Sequence, residues 1–166
     1  SASEELEDAG CRFHDAPPEA LAALRGAREP LPAEPEAINP RFLSLAQAIS
    51  TDSLLATMTR LTSHPTRYTP NAEYEVTALQ MRDYFQTLGL DQVYIHEFTC
   101  CGGTRENVVG IKLGATIPEE ILIVGGHLDS ISQSPQTNAP GAEDNATGSS
   151  AVTELARVLA PVETER

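Results

Sequence analysis

The stretch ILIVGGHLDSISQSPQTNAPGAEDNATG, residues 121–148, constrains this chain more than any other part of it. Ile121–Val124 is short, mostly β-branched and apolar throughout, which is the composition of a central strand buried on both faces. Two glycines end it, and His127 and Asp129 follow directly. A polar loop then leads to Asp144, where a new helix is expected to begin. In open α/β sheets, ligands bind beyond the carboxyl ends of the strands. A histidine at this tip therefore faces the expected cleft.

The flanking segments supply the rest of the frame. Phe42, Leu45 and Ile49 share one helical face. A second helix is expected to start at Ser50 or Thr51, with Leu54, Leu55, Met58 and Leu61 at helical spacing, and Pro65 ends it. Tyr74, Ala78, Met81, Phe85 and Leu88 form the stripe of an amphipathic helix that Gly89 closes. The period then changes from helical to alternating. VYIHEF at 93–98 reads as a strand, Gly102 and Gly103 turn the chain, and NVVGIKLG at 107–114 reads as its partner. A last helix is expected from about Asn145 to Ala160. This order predicts an α/β fold, the opening of a layered sandwich of helices on a sheet.

Residues 1–44 have a different character. Six of the 12 prolines fall within the first 40 residues, together with nine acidic side chains and three arginines. So much proline and charge with little to bury predicts an acidic, Pro-rich arm or the linker of a removed propeptide. Residues 45–166 form the expected domain. The whole chain carries a net charge of −13. That argues against nucleic acid as a partner, since phosphate recognition needs clustered cations. No run of 18 apolar residues is present, so no membrane span is expected. The cysteines are Cys11, Cys100 and Cys101. A bridge from Cys11 to one of the adjacent pair is easier than a bond between neighbours, and it points to a secreted or periplasmic setting.

Taken singly, the three polar residues have ordinary explanations. His127 could be a satisfied polar side chain, Asp129 could cap a turn, and Asp144 could cap a helix. Placed on a strand tip, a loop and a helix start, they suit a metal site instead. Imidazole plus carboxylate is the donor set of catalytic zinc, and a carboxylate two residues from a histidine can orient its ring.

The pattern GGHLDS, then APGAEDNATG, then SSAVTELARVL, resembles the M28 family of zinc aminopeptidases, its secreted bacterial leucyl aminopeptidase branch in particular. LTSHPTRYT at 61–69 adds a looser likeness, and the match extends over roughly residues 45–166. The resemblance implies a three-layer sandwich with a mixed, mostly parallel central sheet flanked by helices, here incomplete. It implies that His127 binds one zinc ion and that Asp144 bridges two. Asp129 is then the catalytic-site carboxylate that orients the histidine. It further implies a two-zinc exopeptidase that removes amino-terminal residues, apolar ones by preference, from peptide substrates.

The family's Glu–Glu pair, with a further Asp and His, would lie beyond residue 166. The expected partner is therefore the carboxy-terminal half of the catalytic domain, as a second chain or segment. Glu163 and Glu165 do not replace the pair, being too close to Asp144 and separated by Thr164. Asn145 stands where the family often has a second Asp, and Asn145-Ala146-Thr147 spells a glycosylation sequon that the base of a cleft would shield. His14, His64 and His96 are expected to be structural or surface residues. Glutaminyl cyclase-type or carboxypeptidase-type relatives, and a non-catalytic binding or assembly role for the fold, are the alternative readings.

Overall fold

The computed structural model of the protein describes residues 38–100 and 102–164. Most of the acidic arm, Cys11 and Cys101 lie outside them, and with them the disulfide expectation.

Three helices come first. α1 (Pro40–Gln47) is started by Asn39, whose side chain accepts the Arg41 N–H, and it buries none of its residues. Phe42 and Ile49 of its expected apolar face are exposed. α2 (Thr51–Thr62) is capped by Ser50, which accepts the Ser53 N–H at 3.2 Å as its position suggested. Its inward face is set by Thr57 and Leu61, while Leu55 stays exposed. α3 (Ala72–Gln86) begins at Asn71, whose side chain accepts from Glu73. Tyr74, Ala78 and Met81 are buried as the stripe required, and Gly89 follows at φ 80°.

β1 (Gln92–Cys100) and β2 (Gly103–Ile111) then pair antiparallel, from Gln92 opposite Ile111 to Cys100 opposite Gly103. Both predicted strands are thus present, the second beginning at Gly103, inside the expected turn, and ending at Ile111. α3 packs on this hairpin, and the Tyr74 hydroxyl fastens the two by donating to the Glu106 carbonyl at 2.7 Å. Burial pushes the Tyr74 phenol up to about 12, with the charges of Asp129 and Glu106 adding to it.

One expectation is corrected here, and another is met only in part. Ile121–Val124 is not a buried central strand. It joins no ladder among the described residues, and its side chains are 57 to 86% exposed. A strand needs a neighbour to satisfy its backbone groups, and the described residues offer this segment none. For the same reason the sheet among the described residues is two antiparallel strands. The helices and strands of an α/β fold are present, and the parallel sheet of a three-layer sandwich is not seen in them.

The last helix, α4 (Gly148–Leu159), starts three residues later than expected. A wide helical turn, Ala142–Thr147, precedes it and breaks helical geometry at Asp144 (φ −112°, ψ 93°) and Asn145 (φ −135°, ψ 44°). The peptide between those two residues is cis. The buried core joins Leu61 of α2, Met81 of α3 and Ala146 of the wide turn, with Phe85, Val108 and Leu128 packed against them. The loop that carries the candidate ligands is therefore built on the core itself.

α4 is tied back to the first helices by charge. Glu154 is buried, accepts the Ser50 N–H at 2.6 Å, and pairs with Arg157 at 2.5 Å. Arg157 also donates to the Ala48 carbonyl at 2.6 Å. Hydrogen bonding from Arg157, and then from the Ser50 amide, holds the Glu154 carboxyl at about 2.

Candidate metal centre

The backbone of His127 lies against the start of α4, beside Gly126. A Cβ there would meet the Gly148 carbonyl carbon and a Val152 methyl at 3.4 Å. The His127 carbonyl accepts from the Ser149 hydroxyl at 2.8 Å and from the Asn145 amide at 3.4 Å. Asn145 also caps the helix, its Oδ1 accepting the Gly148 N–H at 3.0 Å. A Cβ on Gly148 would overlap that side chain, so a larger residue at 148 would push Asn145 out of this position. Asp144 is therefore not a helix cap, which removes its ordinary explanation.

The His127 ring stands between two carboxylates. Nδ1 lies 3.3 Å from Asp129 Oδ1 and 3.2 Å from the Asp129 carbonyl, and Nε2 lies 3.0 Å from Asp144 Oδ1. Asp129 is held in turn by Thr69, whose hydroxyl donates to Oδ2 at 3.1 Å. A neutral imidazole has one N–H to donate. If Nδ1–H serves Asp129, Nε2 faces Asp144 lone pair to lone pair. That arrangement calls for a cation at Nε2, either a second ring proton or a metal ion. The side chains of His127, Asp129 and Asp144 are 54%, 43% and 79% exposed, so this face of the arrangement is open to solvent.

This donor pair fits part of a zinc site. Four-coordinate zinc needs more, and no group of three His, Cys, Asp or Glu side chains among the described residues could hold a metal ion by itself. His64 is not a further ligand. It is buried, with Nδ1 against Glu73 at 3.1 Å and Nε2 against Gln80 at 3.0 Å, so both nitrogens are engaged. His96 lies on β1 and stacks with Phe98 at 6.4 Å.

The residue that sequence reasoning missed is Arg67. It is fully buried, and its guanidinium reaches the carbonyls of Leu128 (2.8 Å), Gly141 (3.1 Å), Leu61 (3.3 Å) and Pro140. Its backbone continues the junction: Arg67 N–H donates to Ala139 at 3.1 Å, and its carbonyl accepts from Ser130 N–H at 3.1 Å. The Ser130 hydroxyl closes the ring by donating to Ala139 at 2.5 Å. Burial lowers the Arg67 pKa, and the nearby charge of Asp129 opposes that shift. Arg67 and Thr69 both lie in LTSHPTRYT, and nothing in those letters distinguishes a buried arginine from a solvated one.

Comparison with known proteins agrees with the motif reading. Residues 107–166 match Peptidase family M28. Over 160 residues, 92% of this chain and 43% of the relative, the sequence is 29% identical to leucine aminopeptidase 1 of Trichophyton equinum. The same identity and coverage hold for the probable leucine aminopeptidase 1 of Trichophyton tonsurans. A probable zinc metalloprotease of Pyrenophora teres f. teres is 28% identical over 147 residues, 76% of this chain and 30% of that protein. The chain thus spans less than half the length of these relatives. What it carries is similar to part of an M28 zinc aminopeptidase domain.

Proposed function

We propose that this chain supplies the amino-terminal portion of a zinc aminopeptidase that cleaves residues, apolar ones by preference, from the amino termini of peptides. The observation that carries the reading is the placement of His127. Asp129 engages its Nδ1 while its Nε2 faces Asp144 across 3.0 Å, in a segment that matches Peptidase family M28.

In this reading His127 and Asp144 would hold zinc, Asp144 serving as the ligand common to both ions of the complete site. Bound zinc supplies a polarised substrate carbonyl and a water made acidic enough to attack near neutral pH. The chain's own residues prepare that chemistry. Asp129 keeps the Nδ1 proton and so leaves Nε2 as the donor atom, and Thr69 fixes Asp129 in turn. Ser149 and Asn145 fix the backbone on which the imidazole turns. The general base and the remaining ligands come from sequence beyond residue 166, as a second chain or segment, and the peptide amino group docks on the open side of the site.

The test uses the full-length protein. Metal analysis is expected to find about two zinc ions per complete site. Hydrolysis of a leucine anilide should be lost with a chelator and restored by zinc. A complete, zinc-loaded protein without peptidase activity would overturn the proposal.

A further inference from the structure

We propose that Arg67 is a positioning residue for the zinc ligands, a clamp that sets the spacing between the His127 segment and the Asp144 segment. The inference rests on the reading of those two residues as ligands.

The guanidinium is a rigid plane with five donors in a fixed fork. Nε binds the carbonyl of Leu128, between His127 and Asp129 in the chain. Nη1 and Nη2 bind the carbonyls of Pro140 and Gly141, on the approach to Asp144. One planar group therefore holds both ligand-bearing segments at once, and Nη1 also reaches Leu61 at the end of α2. The hydrogen-bond partners of this side chain among the described residues are all backbone carbonyls. A buried cation is costly to desolvate, and here that cost is met by four backbone carbonyls that would lose their donor if an apolar residue stood in its place. Packing alone does not require an arginine here. Holding two loops at a fixed separation does, and lysine cannot replace it, because a single ammonium lacks the fork.

The experiment compares three variants of the full-length protein. Arg67→Lys keeps the charge and loses the fork. Ser130→Ala removes only the hydroxyl that links Arg67 N–H to the Ala139 carbonyl. Glu154→Gln weakens the packing of α4 on the first helices and leaves the ligand loops alone. Zinc affinity is read by competition with a chromophoric chelator, and amide exchange is read well below the melting temperature.

Arg67→Lys is expected to weaken zinc binding about 10- to 100-fold, the range found when groups supporting metal ligands are removed. It should also speed exchange at Ser130, Ala139 and Ala146 while α3 stays protected. Glu154→Gln should lower the melting temperature and change zinc affinity by less than about twofold. A folded Arg67→Lys protein with affinity within about twofold of wild type, or with exchange raised evenly throughout, overturns the clamp. Should Arg67→Lys fail to fold, Ser130→Ala is read by the same two measurements, and unchanged affinity and exchange reject the idea. If the wild-type protein holds no zinc, the peptidase reading falls, and local exchange at the three amides alone decides whether Arg67 is a clamp.

Discussion

The hydroxyl of Ser149 donates to the backbone carbonyl of His127 at 2.8 Å, so the first turn of α4 grips the residue whose ring faces Asp144. Ser149 is buried, and in Ser149→Ala that carbonyl keeps only the long bond from Asn145. A loss of about 1 kcal/mol is expected from the missing hydrogen bond, measured as a shift in the denaturant midpoint of the full-length protein. Zinc affinity should fall with it. Wild-type values for both would show that the contact does not steady the ring.

His127→Ala should remove peptidase activity and lower bound zinc, since no other histidine among the described residues can take its place. His64 is buried with both nitrogens occupied, and His96 lies on β1. Metal analysis alongside the anilide assay checks this. Turnover like that of wild type would refute the ligand assignment.

Gly141 turns the chain at φ 53°, in the left-handed region, and a Cβ there would lie 2.5 Å from both the Asp144 carbonyl oxygen and the Ser130 Cβ. Backbone preference and crowding act together at this point. Gly141→Ala is expected to destabilise the protein by more than about 1 kcal/mol. It should also shift Asp144, so that zinc content drops even in folded material. A variant as stable and as zinc-rich as the parent would contradict the described turn.

The buried Glu154 makes stability depend on acid pH. Its carboxyl is held at about 2, below an ordinary value of 4.5. Between these values the unfolded chain binds more protons than the folded one, so stability rises with pH across that window. The contribution is complete above pH about 4.5 and is lost as pH falls toward 2, and it amounts to roughly 3 kcal/mol. Guanidinium midpoints taken from pH 5 down to pH 3 should therefore fall less steeply for Glu154→Gln than for wild type. Parallel pH slopes would remove Glu154 from the account.

What was legible in the sequence is what depends on local pattern. The buried stripe of α3, the Ser50 cap and the β1–β2 hairpin follow from period, capping chemistry and turn residues within single short stretches of the chain. The Asp129–His127–Asp144 arrangement follows from spacing that the family resemblance made specific. Arg67 was not legible, because its partners lie at Leu61, Leu128, Pro140 and Gly141, and a buried cation is recognised only by what surrounds it. The wide turn was missed because Ala142–Thr147 contains residues that could simply extend a helix. Its departure at Asp144 and Asn145 comes with contacts to Gly141 and Gly148. Ile121–Val124 departs from its expected burial because composition shows that a segment suits a sheet interior and does not show that a neighbouring strand is present.

The bare run Ile121–Val124 has a consequence for handling the protein. Four consecutive aliphatic side chains with strong β preference and no charge are the kind of short window that seeds intermolecular strand pairing. Glu119 and Glu120 precede it, and Gly125 and Gly126 follow it. Acidic residues abutting such a run act as gatekeepers, since stacking copies in register would bring like charges together. Replacing both glutamates with alanine should make this chain precipitate at lower concentrations, and the difference from wild type should be largest in low salt, where the repulsion between the glutamates is least screened.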